Sequence, residues 1–275
     1  MKIRDLTDKR EILSILETDR LYAAYAIGDL SSGLFEQCRW TLAEDKHGAY
    51  VLAVSFNGLT PPSLFLMGAS TALRALLGEW LTTHRAYFTM KQEHLSIVSD
   101  WYHLGHLRHM WRMWVNRGSF RPVSAAVKRL QDKDLNALNL LYSWGGARFF
   151  APYQFEQGIY YAVESGGKLV AAAGTHVVAP EYGIAVVGNV FTHPDYRNRG
   201  YATACTSAVV AELLALGCEA VVLNVWQENT PAVRAYRKLG FDVHCPFIEA
   251  PGQRKSTIEH IMSRWLPNAR NTCGQ

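Results

Sequence analysis

The reading of the fold turns on "NVFTHPDYRNRGYATA", residues 189–204. The stretch holds Arg197, Arg199 and a single glycine, Gly200, and almost no side chain suited to acid–base or nucleophilic chemistry. An apolar, strand-like run from Gly183 to Thr192 leads into it. A helical pattern leads out, with Ala202, Cys205, Val209, Leu213 and Leu216 on one face and Gly217 as the stop. A turn from strand into helix leaves the first helical N–H groups without acceptors, at the positive end of the helix dipole. The pattern therefore predicts an anion site made of backbone amides. Gly200 allows close approach, Ala202 and Thr203 keep the first turn open, and the two arginines add charge. One glycine is too few for a Walker loop, and neither GxxxxGK[ST] nor GxGxxG occurs in the chain. Nucleoside-triphosphate and dinucleotide sites are disfavoured on that ground.

Working outward, "DKDLNALNLLYSW" (132–144) has helical spacing, with Leu135, Leu138, Leu141 and Tyr142 on one side. "GIYYAVESGGKLVAAAGTHVV" (158–178) predicts two strands joined at Ser165-Gly166-Gly167. "CEAVVLNV" (218–225) is short and mostly apolar, as expected of a strand buried on both faces. In "NTPAVRAYRKLGF" (229–241), Asn229 or Thr230 can cap a helix with Pro231 in its first turn and Gly240 just past its end. Strand-like runs from Phe241 to Ile248 and from Ile258 to Leu266 complete an α/β unit.

The first part of the chain repeats this order. Helical material from Asp8 to Leu30 precedes the strand-like runs "CRWTLAE" (38–44), "AYVLAVSF" (49–56) and "SLFLMG" (63–68). A helix (Thr71 to Leu81), a strand (86–90), a helix (His94 to His103) and a strand (107–115) follow. Laying "WYHLGHLRH" on "YRKLGFDVH" matches Leu104-Gly105 to Leu239-Gly240 and Trp101 to Tyr236, a faint internal duplication. The Gly, Ser and Pro of "NRGSFRPV" (116–123) mark a junction, so two domains are expected, 1–120 and 123–275.

The totals narrow the function classes. The 275 residues suit two domains, and 49% hydrophobic with 19% charged residues describes an ordinary globular protein. A net charge of +4 falls short of the basic balance of a nucleic-acid binder, so no nucleic-acid partner is expected. The five cysteines (Cys38, Cys205, Cys218, Cys245, Cys273) never form a CxxC pair, which suits a reducing compartment. The charged start "MKIRDLTDKREILSILE" is no secretory signal, and no apolar run is long enough to cross a bilayer. A cytoplasmic protein without membrane association is expected. His103, His106 and His109 resemble a ligand set, but a strand holding His106 and His109 at odd separation points them to opposite faces; no metal is expected.

Two motifs together resemble the GNAT N-acetyltransferase superfamily. Arg197-Asn-Arg-Gly200-Tyr-Ala202 fits its [Q/R]-x-x-G-x-[G/A] signature, and Asn229 to Phe241 fits N-x-x-A-x-x-x-Y-x-K-x-G-F. The resemblance covers Val123 to Leu266. For the first half it rests on element order and the faint repeat, as in tandem GNAT proteins with a degenerate N-terminal copy. It implies the α/β (α+β mixed-sheet) GNAT fold, whose fourth and fifth strands splay around acyl-CoA. The pyrophosphate would sit on the loop from Arg197, Asn198 and Arg199 through Gly200, Tyr201 and Ala202 to Thr203. The pantetheine arm would pair with backbone at Val190, Phe191 and Thr192, and Asn229 would touch the cofactor as well as cap its helix. The Val190 N–H would face the thioester oxygen, and Tyr236 would protonate the leaving thiolate.

The expected activity is transfer of an acetyl group from acetyl-CoA to a small-molecule or protein amine, with a homodimer as one expected assembly. The alternative is a non-catalytic acyl-CoA-binding or regulatory protein. Bland readings stand beside the sharp ones. Tyr236 shares a helix face with Val233 and Leu239 and so could be a core aromatic. Cys205 reads as packing, and Trp101, Trp111 and Trp114 as core material. One departure from the family matters: "GIAVVGNVFT" (183–192) carries no carboxylate to draw the proton from the amine. Asn189 can only orient a water, and His176 and His193 qualify by pKa range alone. In the first half, His94 stands where Asn229 would be and Trp101 where Tyr236 would be, so one CoA per chain is expected.

Overall fold

Alternating and mostly apolar runs separated by turn residues build the strands of the computed structural model, which describes residues 1–31, 33–146, 155, 157–256 and 258–259. The strands are β1 Lys2–Leu6, β2 Cys38–Glu44, β3 Tyr50–Phe56, β4 Ser63–Gly68, β5 Arg85–Met90, β6 Tyr102–Leu104 and β7 Arg108–Asn116. They continue as β8 Lys128–Arg129, β9 Tyr161–Ser165, β10 Lys168–Ala179, β11 Ile184–Thr192, β12 Ala220–Trp226 and β13 Asp242–Arg254. The α-helices are α1 Lys9–Leu16, α2 Ala24–Gly28, α3 Ser70–Ala75, α4 Gln92–Trp101, α5 Leu135–Ser143, α6 Tyr201–Ala215 and α7 Thr230–Lys238.

The compact units are not the consecutive halves, 1–120 and 123–275, that the junction suggests. One unit consists of Met1–Ile15, Gly33–His109 and the chain from Pro246 on; the other consists of Leu16–Ser32 and Met110–Cys245. Within the first, β1, β2, β3 and β4 pair antiparallel in that order, β4 pairs parallel with β5, and β5 pairs antiparallel with β13. Within the second, β8, β9, β10 and β11 pair antiparallel, β11 pairs parallel with β12, and β12 pairs antiparallel with β7. The two topologies are the same, which bears out the repeat in element order. The exchange of last strands explains why the chain-order boundary fails. Strands β5 and β12 would each leave an unpaired edge, and each edge is covered by a strand from the other half of the sequence.

The second unit also takes α2 from the start of the chain. A Cβ on Gly28 would collide with the methyls of Val177, so only glycine lets α2 lie this close to β10. One face of the sheet buries Cys205, Val209, Val210 and Leu213 of α6 against Val170, Val187, Val221 and Leu223. The other face packs Leu138, Leu141 and Tyr142 of α5 against Tyr160, Leu169 and Ala172. The first unit has its own core around Leu66, Leu73, Phe88 and Ile248.

Several local expectations change. Strand β1 was not legible, because only Leu6 of its five residues is buried. The predicted helix Thr71 to Leu81 is α-helical only to Ala75 and continues as a π turn, Leu76–Trp80. Leu216 lies past the end of α6 and is exposed, whereas Cys205, Val209 and Leu213 are buried as expected. His106 lies between β6 and β7 rather than on a strand. The predicted strand Ile258 to Leu266 lies almost wholly outside the described residues. Among the described residues no helix is long and apolar enough to cross a membrane.

Candidate active site at the splay of two strands

Strands β11 and β12 pair only from Ile184 to Val187 against Ala220 to Leu223, although β11 runs on to Thr192 and β12 to Trp226. The separation begins where Asn189 takes a left-handed conformation, φ 52°. On the other side of β11 the register with β10 passes from Gly188 to Phe191 without pairing Asn189 or Val190. This is a bulge in a strand that would otherwise be fully paired. Its consequence is that Val190 has no register partner on either neighbouring strand.

A cleft of about 750 Å³ opens in the splay. One wall is Val190, Phe191 and Thr192 of β11, continuing through Tyr196, Arg197 and Asn198 to Gly200, Tyr201, Ala202 and Thr203. The facing wall is Asn229 and α7, with Arg234, Tyr236 and Lys238 turned to the cleft. Of the catalytic and cofactor-binding residues expected from the sequence, the cleft gathers all but Arg199. That guanidinium lies 5.1 Å from the centroid of the Tyr196 ring and donates to the Asp195 carbonyl at 3.2 Å.

The loop has the geometry of an anion cradle. Asn198 and Gly200 both have positive φ, 62° and 78°, which turns successive amides toward one side before α6 begins. Gly200 is the N-cap of α6 and no side chain caps the helix, so its first N–H groups lack intrahelical acceptors. A Cβ on Gly200 would meet nothing within 4 Å, so the space in front of the amides is open. Arg197 ties the loop to the strand end by donating to the Thr192 carbonyl at 3.4 Å. The Thr192 hydroxyl is buried with no partner among the described residues, which fits a missing polar ligand group.

Asn229 caps α7, its Oδ1 accepting from the Ala232 N–H at 3.3 Å, while also lining the cleft. Tyr236 is buried beside Phe241, and burial pushes its hydroxyl pKa up to about 12. It therefore keeps its proton across the neutral range and is available there as an acid rather than a base. Cys205 donates weakly to the Ala171 carbonyl, and burial pushes its thiol up to about 12, in keeping with packing. His193 serves the turn, its Nδ1 accepting from the Asp195 N–H at 3.3 Å. His176 is different. It is bonded to both Asn189 and Tyr25. Among the described residues no group of three or more His, Cys, Asp or Glu could hold a metal.

Sequence reasoning gave Arg234 no role and met Lys238 only as a motif position, although their i, i+4 spacing two residues either side of Tyr236 was a readable sign of a basic helix face. It also missed Tyr25, for which no local signal exists.

Residues 127–241 match the Acetyltransferase (GNAT) family. A mycothiol acetyltransferase of Pseudarthrobacter chlorophenolicus is 34% identical over 87 residues, 30% of this chain and 27% of that protein. The chain thus aligns with little more than a quarter of that relative's length. A GCN5-related N-acetyltransferase from Kribbella flavida superposes with a TM-score of 0.61 at 14% identity, covering 86% of this chain and 95% of that one. A tandem GNAT protein from the clavulanic acid biosynthesis pathway superposes with a TM-score of 0.52 at 11% identity, covering 93% and 99%. At such identities the structural likeness concerns the fold.

Proposed function

We propose, from the match of residues 127–241 to the Acetyltransferase (GNAT) family, that this chain moves an acetyl group from acetyl-CoA to an amine. The observation that carries this reading is that both motifs converge on one cleft, with the unregistered Val190 on one wall and Tyr236 on the other. The uncapped start of α6 receives the diphosphate, and Arg197, Arg234 and Lys238 supply charge around it. The pantetheine arm extends along Val190 to Thr192, where β11 has left β12.

Attack of the amine on the thioester carbonyl places negative charge on the carbonyl oxygen. Val190 belongs to no register pair of either ladder, and in this reading its N–H faces the carbonyl oxygen and stabilises that charge without reorganisation. As the C–N bond forms and the C–S bond breaks, the Tyr236 hydroxyl donates to the leaving sulfur. A phenol with a pKa near 12 releases its proton only as charge builds on sulfur, and the proton lost by the amine restores it.

The first unit serves another purpose. His94 is buried there and its Nε2 bonds the Gly68 carbonyl at 2.8 Å, while the Ala69 N–H is spent on the Tyr50 carbonyl at 2.7 Å. A Cβ on Gly78 would touch the Trp101 ring at 3.1 Å. With the His94 Nε2 and the Ala69 N–H already spent inside the unit, we read it as a degenerate copy, and each chain as holding one CoA.

Incubation with acetyl-CoA and a panel of primary amines, followed by free-thiol detection, tests the activity. Amine-dependent thiol release is expected. Tight CoA binding with no release for any amine would leave only a non-catalytic carrier.

A further inference from the structure

An amine that arrives as an ammonium ion has no lone pair for attack, and β11 offers no carboxylate to deprotonate it. The structure places another group over that strand. A Cβ on Gly188 would collide with the imidazole of His176, so the ring fills the space that a side chain two residues before Val190 would occupy. Solvent reaches His176, yet enough protein surrounds it that burial lowers its pKa, a tendency the Asn189 side chain opposes. Gly188, Asn189 and Tyr25 border the recess in which the ring sits.

The hydrogen bonds around the ring assign its protons. The Tyr160 hydroxyl donates its one proton to the Thr175 carbonyl at 3.0 Å and accepts from Asn189 Nδ2 at 3.0 Å. That orients Asn189 Oδ1 toward His176, where it accepts from Nε2–H at 3.1 Å. The Nδ1 lone pair remains, and the Tyr25 hydroxyl donates to it at 2.7 Å. Every donor along Tyr25, His176, Asn189, Tyr160 and Thr175 thus points one way, and the entry to the chain is the Tyr25 oxygen.

We propose that this chain is the base of the reaction: the ammonium acceptor gives a proton to the Tyr25 oxygen as the Tyr25 hydroxyl proton passes to His176 Nδ1. The N–H bond of the ammonium breaks, an O–H bond forms, the old O–H bond breaks and an Nδ1–H bond forms. The products are a neutral amine and an imidazolium, which returns its proton to solvent. The inference rests on the acetyl-transfer reading above and names the acceptor class, a primary amine bound as its cation.

The other charged and titratable groups around the recess are consistent with this. Tyr142 and Tyr160 are held as neutral phenols by burial. Arg112 is buried with its guanidinium carbon 5.2 Å from the centroid of the Tyr25 ring, fixing that ring in place. Asp29 follows Tyr25 by one helical turn, its N–H bonded to the Tyr25 carbonyl at 2.9 Å. Burial raises its carboxyl to about 7, so it becomes an anion, one helical turn from Tyr25, only above neutrality.

The test uses the full chain, acetyl-CoA, the primary amine that turns over fastest, and hydroxylamine, an acceptor largely unprotonated near neutral pH. His176→Gln is expected to lower kcat/KM for the amine by about 10²-fold or more, the usual scale for lost acid–base assistance. It should also abolish the wild-type fall in rate as pH drops through a value below the ordinary imidazole pKa. Acetyl-CoA affinity and hydroxylamine turnover should stay within about threefold, since neither needs the base. Tyr25→Phe should reproduce the split, and Asp29→Asn should keep the low-pH limb. Unchanged amine turnover in His176→Gln, or equal losses with amine and hydroxylamine, would overturn the proposal and make the network only a lock on the bulge. A wild-type protein that releases no thiol with any acceptor would instead overturn the transferase reading beneath it.

Discussion

Gly200 permits the loop to be probed with stability and binding separated. Its φ of 78° costs an L residue about 1–2 kcal/mol, and the open space around its Cβ adds no clash. Gly200→Ala should therefore lose about 1 kcal/mol of stability and little CoA affinity. Gly200→Glu adds a carboxylate in front of the α6 amides. At about 5 Å and an effective dielectric of about 20, each unit of phosphate charge is opposed by about 3 kcal/mol. That corresponds to a rise in Kd on the order of a hundredfold or more. The same carboxylate interacts favourably with the helix start, so Gly200→Glu should be no less stable than the alanine variant. Gly200→Gln matches the size without the charge and isolates the electrostatic part. Calorimetric titration with CoA reads affinity, and thermal denaturation reads stability. Equal affinity in the glutamate, glutamine and alanine variants would refute the assignment of the diphosphate to these amides.

Three further outcomes are expected. Tyr236→Phe should keep CoA affinity and lower kcat by about 10²–10⁴-fold, measured by thiol release under conditions where chemistry limits. Trp101→Ala should cost about 2–4 kcal/mol in chemical denaturation, below the full-burial range because the ring is only partly covered, while calorimetry still counts one CoA per chain. Asp29 prefers its proton in the folded state, its pKa being raised from 3.8 to about 7, so ionisation costs stability as pH rises from about 4 to about 7. Asp29→Asn should therefore raise the melting temperature increasingly over that interval, and leave it unchanged near pH 4.

The parts of this fold legible in the sequence were those governed by local chemistry. The β2 and β4 boundaries, the strand Ala220–Trp226 and the helix after Asn229 follow from apolar runs and caps. The cleft was legible because backbone shape is written in a few residues, Gly200 and the Asn229 cap among them. What escaped depends on contacts distant in sequence. Strand β13 covers β5 and β7 covers β12, yet no residue of either strand announces which edge it will meet. The same holds for the recess, where Tyr25 meets His176 across 151 positions. Arg199 shows the converse limit: a motif position fixes the backbone of a loop, but a long side chain follows its nearest ring and carbonyl, here those of Tyr196 and Asp195.

The central claim, one acetyl-CoA held in the splay with its thioester at Val190, is tested most directly by a crystal structure of the full chain grown with acetyl-CoA. The account predicts diphosphate density on the amides from Asn198 to Thr203, the thioester oxygen within hydrogen-bonding distance of the Val190 N–H, the sulfur facing the Tyr236 hydroxyl, and no second molecule at His94 and Trp101. Density for the diphosphate away from the start of α6, a thioester directed elsewhere than Val190, or a second acetyl-CoA in the first unit would contradict it.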